Sequence, residues 1–118
     1  MILHVVLFEP RPDLTPAERR QIGHDLLRAA TTIPSIVRCR IGRRVRHGHP
    51  GYEQMMTDSY SHAAVLEFAD RAGLVAYLQH PAHQTIGLHF ATATRRSLAY
   101  DYEMTDAADA DAELLAAE

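Results

Sequence analysis

The stretch Tyr77-Leu78-Gln79-His80-Pro81-Ala82-His83 gathers a phenol and two imidazoles around a proline. Groups of this kind move protons near neutral pH or hold a ligand by hydrogen bonds. Pro81 suits the first position of a helix, where a missing N–H costs nothing and the fixed φ is already helical. His83 then falls in the first turn of a helix running towards Thr94. The partial positive charge at a helix start disfavours an imidazolium, so His83 is expected to be neutral and able to accept a proton. With Tyr77 donating to a developing oxyanion, the two could remove a proton beside a carbonyl. The plainer alternative ties His80 and His83 to backbone groups and makes Tyr77 a core aromatic.

His4 is two-sided in the same way. It is either a hydrogen-bonded core residue or the polar group that fixes a small ligand in a pocket. His62 reads as a pocket wall, and Phe8, His80 and Phe90 join it as candidate ligand-binding residues. Metal binding has little support, because His47-x-His49 and His80-x-x-His83 each offer only two ligands. No CxxC, HExxH or carboxylate cluster completes a set. The 12 basic residues are all arginine, which excludes a lysine Schiff base and with it lysine-dependent aldolase and pyridoxal phosphate chemistry. Acid/base work by histidine and tyrosine calls for no cofactor.

These residues need elements to hold them. Ile2 to Phe8 is an apolar run closed by Glu9-Pro10-Arg11-Pro12 and reads as a strand, with Leu3, Val5 and Leu7 on one face and His4, Val6 and Phe8 on the other. Both faces are apolar, so both must be covered. Thr15-Pro16-Ala17-Glu18 is a capping box that starts a helix whose buried stripe reads as Ile22, Leu26, Leu27 and Ala30. Val37, Cys39, Ile41 and Val45 alternate with arginines in a second strand, with a bulge expected at Gly42. Cys39 reads as a buried structural thiol. Tyr60 to Phe68 is a third strand carrying His62, Ala64, Leu66 and Phe68 on one face. Asp70 caps a short helix through Leu74, Tyr77 and Leu78. A second helix carries Ile86, His89, Phe90 and Ala93, and Leu98 to Tyr102 closes the chain as a strand.

Strand, helix, strand, strand, helix pair, strand is the α+β ferredoxin-like order, a four-stranded antiparallel sheet with helices on one face. The helices cover only that face. A second copy packed sheet to sheet would cover the other, so a homodimer is expected. The domain is read as residues 1–104, followed by an acidic, alanine-rich tail over 105–118 that is expected to be flexible. The tail's Asp106, Asp109, Asp111, Glu113 and Glu118 outweigh the whole net charge of −3, which leaves the body slightly basic. Arg38, Arg40, Arg43, Arg44 and Arg46 suit a solvated strand face and edge. Nucleic acid is not expected, since the third strand has no Gly-aromatic-x-aromatic stacking signature. With no run of about 18 apolar residues and no charged-then-apolar leader, the expectation is a soluble, cytoplasmic protein without a membrane partner.

In order along the chain, His4-Val5-Val6-Leu7-Phe8, Ile33-Pro34, Gly42, the Tyr77 to His83 box and Tyr100-Asp101-Tyr102 resemble the stress-responsive A/B barrel (Dabb) family. The resemblance spans about Ile2 to Glu103 and implies a dimeric α+β barrel with a small cleft between sheet and helices. That family includes heat-stable plant stress proteins and a plant polyketide cyclase that works without a cofactor. By resemblance to that cyclase, the catalytic residues would be His83, Tyr77 and His4. A further pocket tyrosine of the cyclase falls at Leu26 here, a departure at the substrate wall. Haem through His89 would rest only on haem-binding proteins among other dimeric α+β barrels, and is set aside. The expected function is binding or converting a small carbonyl, phenolic or polyketide-like compound by cofactor-free acid/base chemistry. The alternative is a non-catalytic stress-response or structural dimer without a substrate.

Overall fold

The computed structural model describes residues 1–116. Its elements run β1 (Ile2–Pro10), α1 (Pro16–Thr32), β2 (Arg38–Arg43), β3 (His62–Phe68), α2 (Arg71–Gln79), α3 (Pro81–Ala93) and β4 (Thr94–Glu103), with single 3₁₀ turns at Glu53–Met55 and Ala112–Leu115. The four strands form one sheet in the order β2-β3-β1-β4, every neighbouring pair antiparallel. This is the expected α+β ferredoxin-like arrangement.

β1 is central because it is apolar on both faces. Ile2, His4, Val6 and Phe8 are buried under the helices, while Leu3, Val5 and Leu7 are half-buried on the outer face. The same alternation puts Ala64, Leu66 and Phe68 of β3 into the core. The capping box is formed as read, with the Glu18 N–H donating to Thr15 Oγ1 and the Thr15 N–H donating to Glu18 Oε1. Asp70 caps α2 through the Gly73 N–H.

Four sequence expectations need correction. The buried side of α1 centres on Ala29 and continues to Ile33, whereas Leu27 turns outward and is 58% exposed. Helical geometry puts Ile22, Leu26, Ala29 and Ile33 on one stripe and Leu27 a quarter turn off it. Gly42 forms no bulge, since it pairs regularly with Ala63. The register shift lies between Glu9 and Pro10 instead, where proline has no N–H to give the ladder. Third, β2 stops at Arg43 and β3 starts only at His62; beyond them the Ser61 carbonyl still accepts the Arg44 N–H at 2.8 Å, but the Ser61 N–H turns to the Glu9 carboxylate at 2.6 Å. Finally, β4 is longer than read and begins as soon as α3 ends.

The expected tail is exposed throughout its described part, 105–116, with one 3₁₀ turn near its end. Residues 117 and 118 lie outside the described residues. No described helix is long and apolar enough to cross a membrane.

Candidate functional site

Two places between the sheet and the helices gather polar side chains. The first is the corner where α2 meets α3. His80 links these helices in an extended conformation, the backbone state that a following proline enforces. Its Nδ1 accepts the Ala82 N–H at 3.1 Å, and its carbonyl accepts the His83 N–H at 2.9 Å. His80 therefore works as the helix cap, and its ring lies along an outer groove with Asp25 and Thr85.

Inward of that cap the Tyr77 ring stands edge-on between two imidazoles, with centroids 5.5 Å from His4 and 4.6 Å from His83. Phe68 backs it at 5.2 Å. His4 and Tyr77 are 5% and 4% exposed. The pairing of β1 with β4 sets His4 opposite Asp101, and His4 Nδ1 lies 2.5 Å from Asp101 Oδ1. An ionised carboxylate only accepts, so His4 Nδ1–H is the donor and Nε2 is the nitrogen left facing the interior. Asp101 entered the sequence reading only within Tyr100-Asp101-Tyr102 and was given no role in the site. Its further sequence signal is alternation, because Asp101 points opposite to Tyr100 and Tyr102 and thus towards the helices.

Burial pushes His83 below the ordinary histidine value. The neighbouring His4 charge adds to this, and a backbone hydrogen bond at Leu78 opposes it. The expectation of a neutral His83 therefore stands on burial more than on the helix start. Burial pushes the Tyr77 phenol up to about 12, with smaller contributions from Cys39 and Asp101. That leaves a proton acceptor beside a phenol that keeps its proton.

The second place is a cleft of about 340 Å³ towards the far end of β1, walled by Phe8, Ile22, Leu26, His62, His89 and Phe90 among others. Phe8 stacks on His62 at 5.4 Å and meets Phe90 edge-on at 5.2 Å. Burial lowers the His62 pKa, assisted by Arg43 and Arg19 and opposed by Glu9. The expected ligand-binding residues thus divide, Phe8, His62 and Phe90 being in the cleft wall and His80 outside it. His4 and His83 do not line the cleft. Tyr77 closes a void of about 30 Å³ whose walls include Leu26, Ile41 and Phe90, and these three residues also wall the cleft. The two spaces therefore share a wall, which stands between the open cleft and the buried phenol.

The family of the stress responsive A/B barrel domain matches residues 2–104. The chain belongs to that family. No curated protein matches the sequence. Among solved structures, a hydroxynitrile lyase from Passiflora edulis is 18% identical, with a TM-score of 0.73 over 89% of this chain and 94% of its own. A dimeric ferredoxin-like protein of unknown function from Thermobifida fusca is 22% identical, with a TM-score of 0.67 over 87% and 90%. SnoaB, a cofactor-independent oxygenase from Streptomyces nogalater, is 14% identical, with a TM-score of 0.64 over 92% and 97%. These likenesses establish the fold of this A/B barrel domain.

Proposed function

We propose that this A/B barrel domain binds a small carbonyl, phenolic or polyketide-like compound and converts it by cofactor-free acid/base chemistry at His83, Tyr77 and His4. The observation that carries the reading is the row Asp101–His4–Tyr77–His83, in which His4 and Tyr77 are buried, His83 is half-buried and the Asp101 side chain reaches the surface at 38% exposure. A core gains nothing in stability from three titratable rings where aliphatic side chains would pack, since burying polar groups costs free energy that their hydrogen bonds only offset. Neutral His83 takes a proton from carbon next to a carbonyl. The C–H electron pair moves to the carbonyl oxygen, and the Tyr77 hydroxyl donates a hydrogen bond to the enolate that results. His83 then returns the proton it took, and His4, held by Asp101, offers Nε2 as a second acceptor beside Tyr77. A substrate held in the cleft reaches the row only when the shared wall of Leu26, Ile41 and Phe90 moves aside. Two proteins of like fold are an oxygenase named as cofactor-independent and a lyase, which agrees with small-molecule conversion.

Turnover of a panel of small phenolic and β-keto compounds, followed by mass spectrometry, tests this. His83→Ala should lose activity by about 10²–10⁴-fold while its thermal midpoint barely moves. Unchanged turnover in that variant would remove His83 from the chemistry. If no compound in the panel is turned over or bound, the second reading gains, a stress-response or structural dimer without a substrate.

The working unit in either case is a homodimer. Leu3, Val5 and Leu7 sit half-buried on the outer face of the sheet, beside the exposed Tyr100 and Tyr102. A second copy packed there would cover this apolar strip. Light scattering at micromolar concentration should give twice the chain mass, and Val5→Glu should give the monomer. A wild-type monomer at that concentration rejects the dimer.

A further inference from the structure

His89, on the α3 side of the cleft, takes no part in the acid/base row. Its Nε2 lies 2.6 Å from Asp25 Oδ2 on α1, and both side chains are about one-fifth exposed. The carboxylate belongs to the outer groove with His80 and Thr85, whereas the imidazole belongs to the cleft wall. Asp25 therefore holds His89 from behind, and its other oxygen accepts from Gln21 Nε2 at 3.1 Å. That leaves Nδ1 as the nitrogen available to a ligand. An imidazole gripped by a carboxylate at one nitrogen is fixed in rotamer, so its second nitrogen is held ready to share a hydrogen bond with a ligand's acid group.

One group of the cleft wall carries a fixed charge, the Arg19 guanidinium, while burial keeps His62 towards its neutral form. Arg19 and His62 stand with His89 in a wall that is otherwise almost wholly apolar and holds no carboxylate. Among the described residues Arg19 enters no ion pair, its guanidinium donating only to the Arg11 carbonyl. Glu9, the acid nearest His62 along this end, is taken up by the Ser61 N–H and lies close to Arg95 and Arg96. An apolar cleft with cationic and cationisable groups but no acid of its own suits one class of molecule, an apolar body that ends in an anion.

We propose that the cleft selects ligands carrying a carboxylic acid on an aromatic or aliphatic body, with His89 receiving the acid and Arg19 adding to the attraction. This rests on the reading of the cleft as a small-molecule site and narrows the class it takes. The ligand's ring or chain lies against Phe8 and Phe90, and its acid points towards His89.

The test compares 3-phenylpropanoate with 3-phenyl-1-propanol, molecules of nearly equal shape that differ in the acid. Affinity is measured by calorimetry on the full chain, and position by chemical-shift changes at Phe8, Phe90 and the His89 ring nitrogens. The acid should bind at least tenfold more tightly and move the His89 nitrogens. His89→Leu should abolish that preference while leaving the alcohol's affinity within twofold, and Arg19→Gln should reduce it less. Should His89→Leu fail to fold, Asp25→Asn keeps the imidazole and should weaken the preference several-fold. Equal affinity of both compounds for the wild-type cleft overturns acid selection and leaves the small-molecule reading intact. Binding of neither compound, without shifts at Phe8 and Phe90, overturns both.

Discussion

At the α2–α3 corner a buried imidazole reaches out to a carboxylate at the surface, His4 being 5% and the Asp101 side chain 38% exposed. At the cleft His89 and Asp25 are each about one-fifth exposed and meet across two helices rather than two strands. A strand pair fixes its side chains through a ladder of backbone hydrogen bonds, whereas two packed helices fix theirs only through side-chain contact. The corner is therefore suited to holding reacting atoms in one geometry. The cleft, rimmed by the exposed Leu27, is suited to admitting ligands of different size. Placing chemistry at the rigid end and selection at the open end lets one change without the other.

The largest expected effect breaks the rigid end. Phe68 is fully buried and backs Tyr77. Phe68→Ala should cost about 3–5 kcal/mol, enough to threaten folding at ordinary temperature. Leu27→Ala, at the rim of the cleft, should stay within about 0.5 kcal/mol. Urea unfolding of both variants checks the contrast, and comparable losses would mean that the cleft end is packed as firmly as the corner.

A smaller effect isolates the carboxylate. Asp101→Asn keeps the shape of the side chain and an accepting oxygen but takes away the charge that His4 Nδ1–H meets, and should cost about 0.5–1.5 kcal/mol. Turnover should fall further than this stability loss explains, because His4 is then free to adopt the other tautomer. Asp25→Asn should move the thermal midpoint less than Asp101→Asn does. The opposite order would show that the helix-borne pair is the better-fixed one.

Much of this plan could be read from the chain alone. Period-2 alternation in β1 and β3, the Thr15 capping box and Pro81 gave the order of elements, and the Tyr77 to His83 box gave most of the corner. What could not be read was register. His4 meets Asp101 only because β1 and β4 pair residue for residue over most of their length, and no local pattern states which strands will be neighbours. Asp25 and His89 are 64 residues apart and meet through the packing of α1 on α3, which is likewise a tertiary fact. The misplaced bulge has a similar cause. Glycine permits a bulge without requiring one, whereas Pro10 cannot serve the ladder at all.

The smallest effect is a pH dependence that separates the two regions without any substitution. His83 has its pKa lowered by burial and by the His4 charge, and His62 shifts in the same direction. Between the lowered folded value and the unfolded value near 6.5, the unfolded chain binds a proton that the folded chain refuses. Stability therefore rises with pH through that window and is lost as pH falls below about 6.5. The Asp25 carboxyl is shifted in the same direction, in a lower pH window. The hydrogen bond from His89 holds it below its ordinary value of 3.8, so its contribution is present above that value and disappears only as pH falls through the lower folded one. Urea midpoints measured in steps from pH 7.5 to 3 should therefore show two separate declines on acidification, the first carried by the histidines and the second by carboxylates. His83→Leu should flatten the first decline, leaving the share of His62, and leave the second in place. If that variant keeps the whole of the first decline, His83 is not refusing its proton and the neutral base at the corner is lost. An acid limb of turnover that lies below the ordinary histidine value, matching the same titration, would tie the stability and the chemistry to one imidazole.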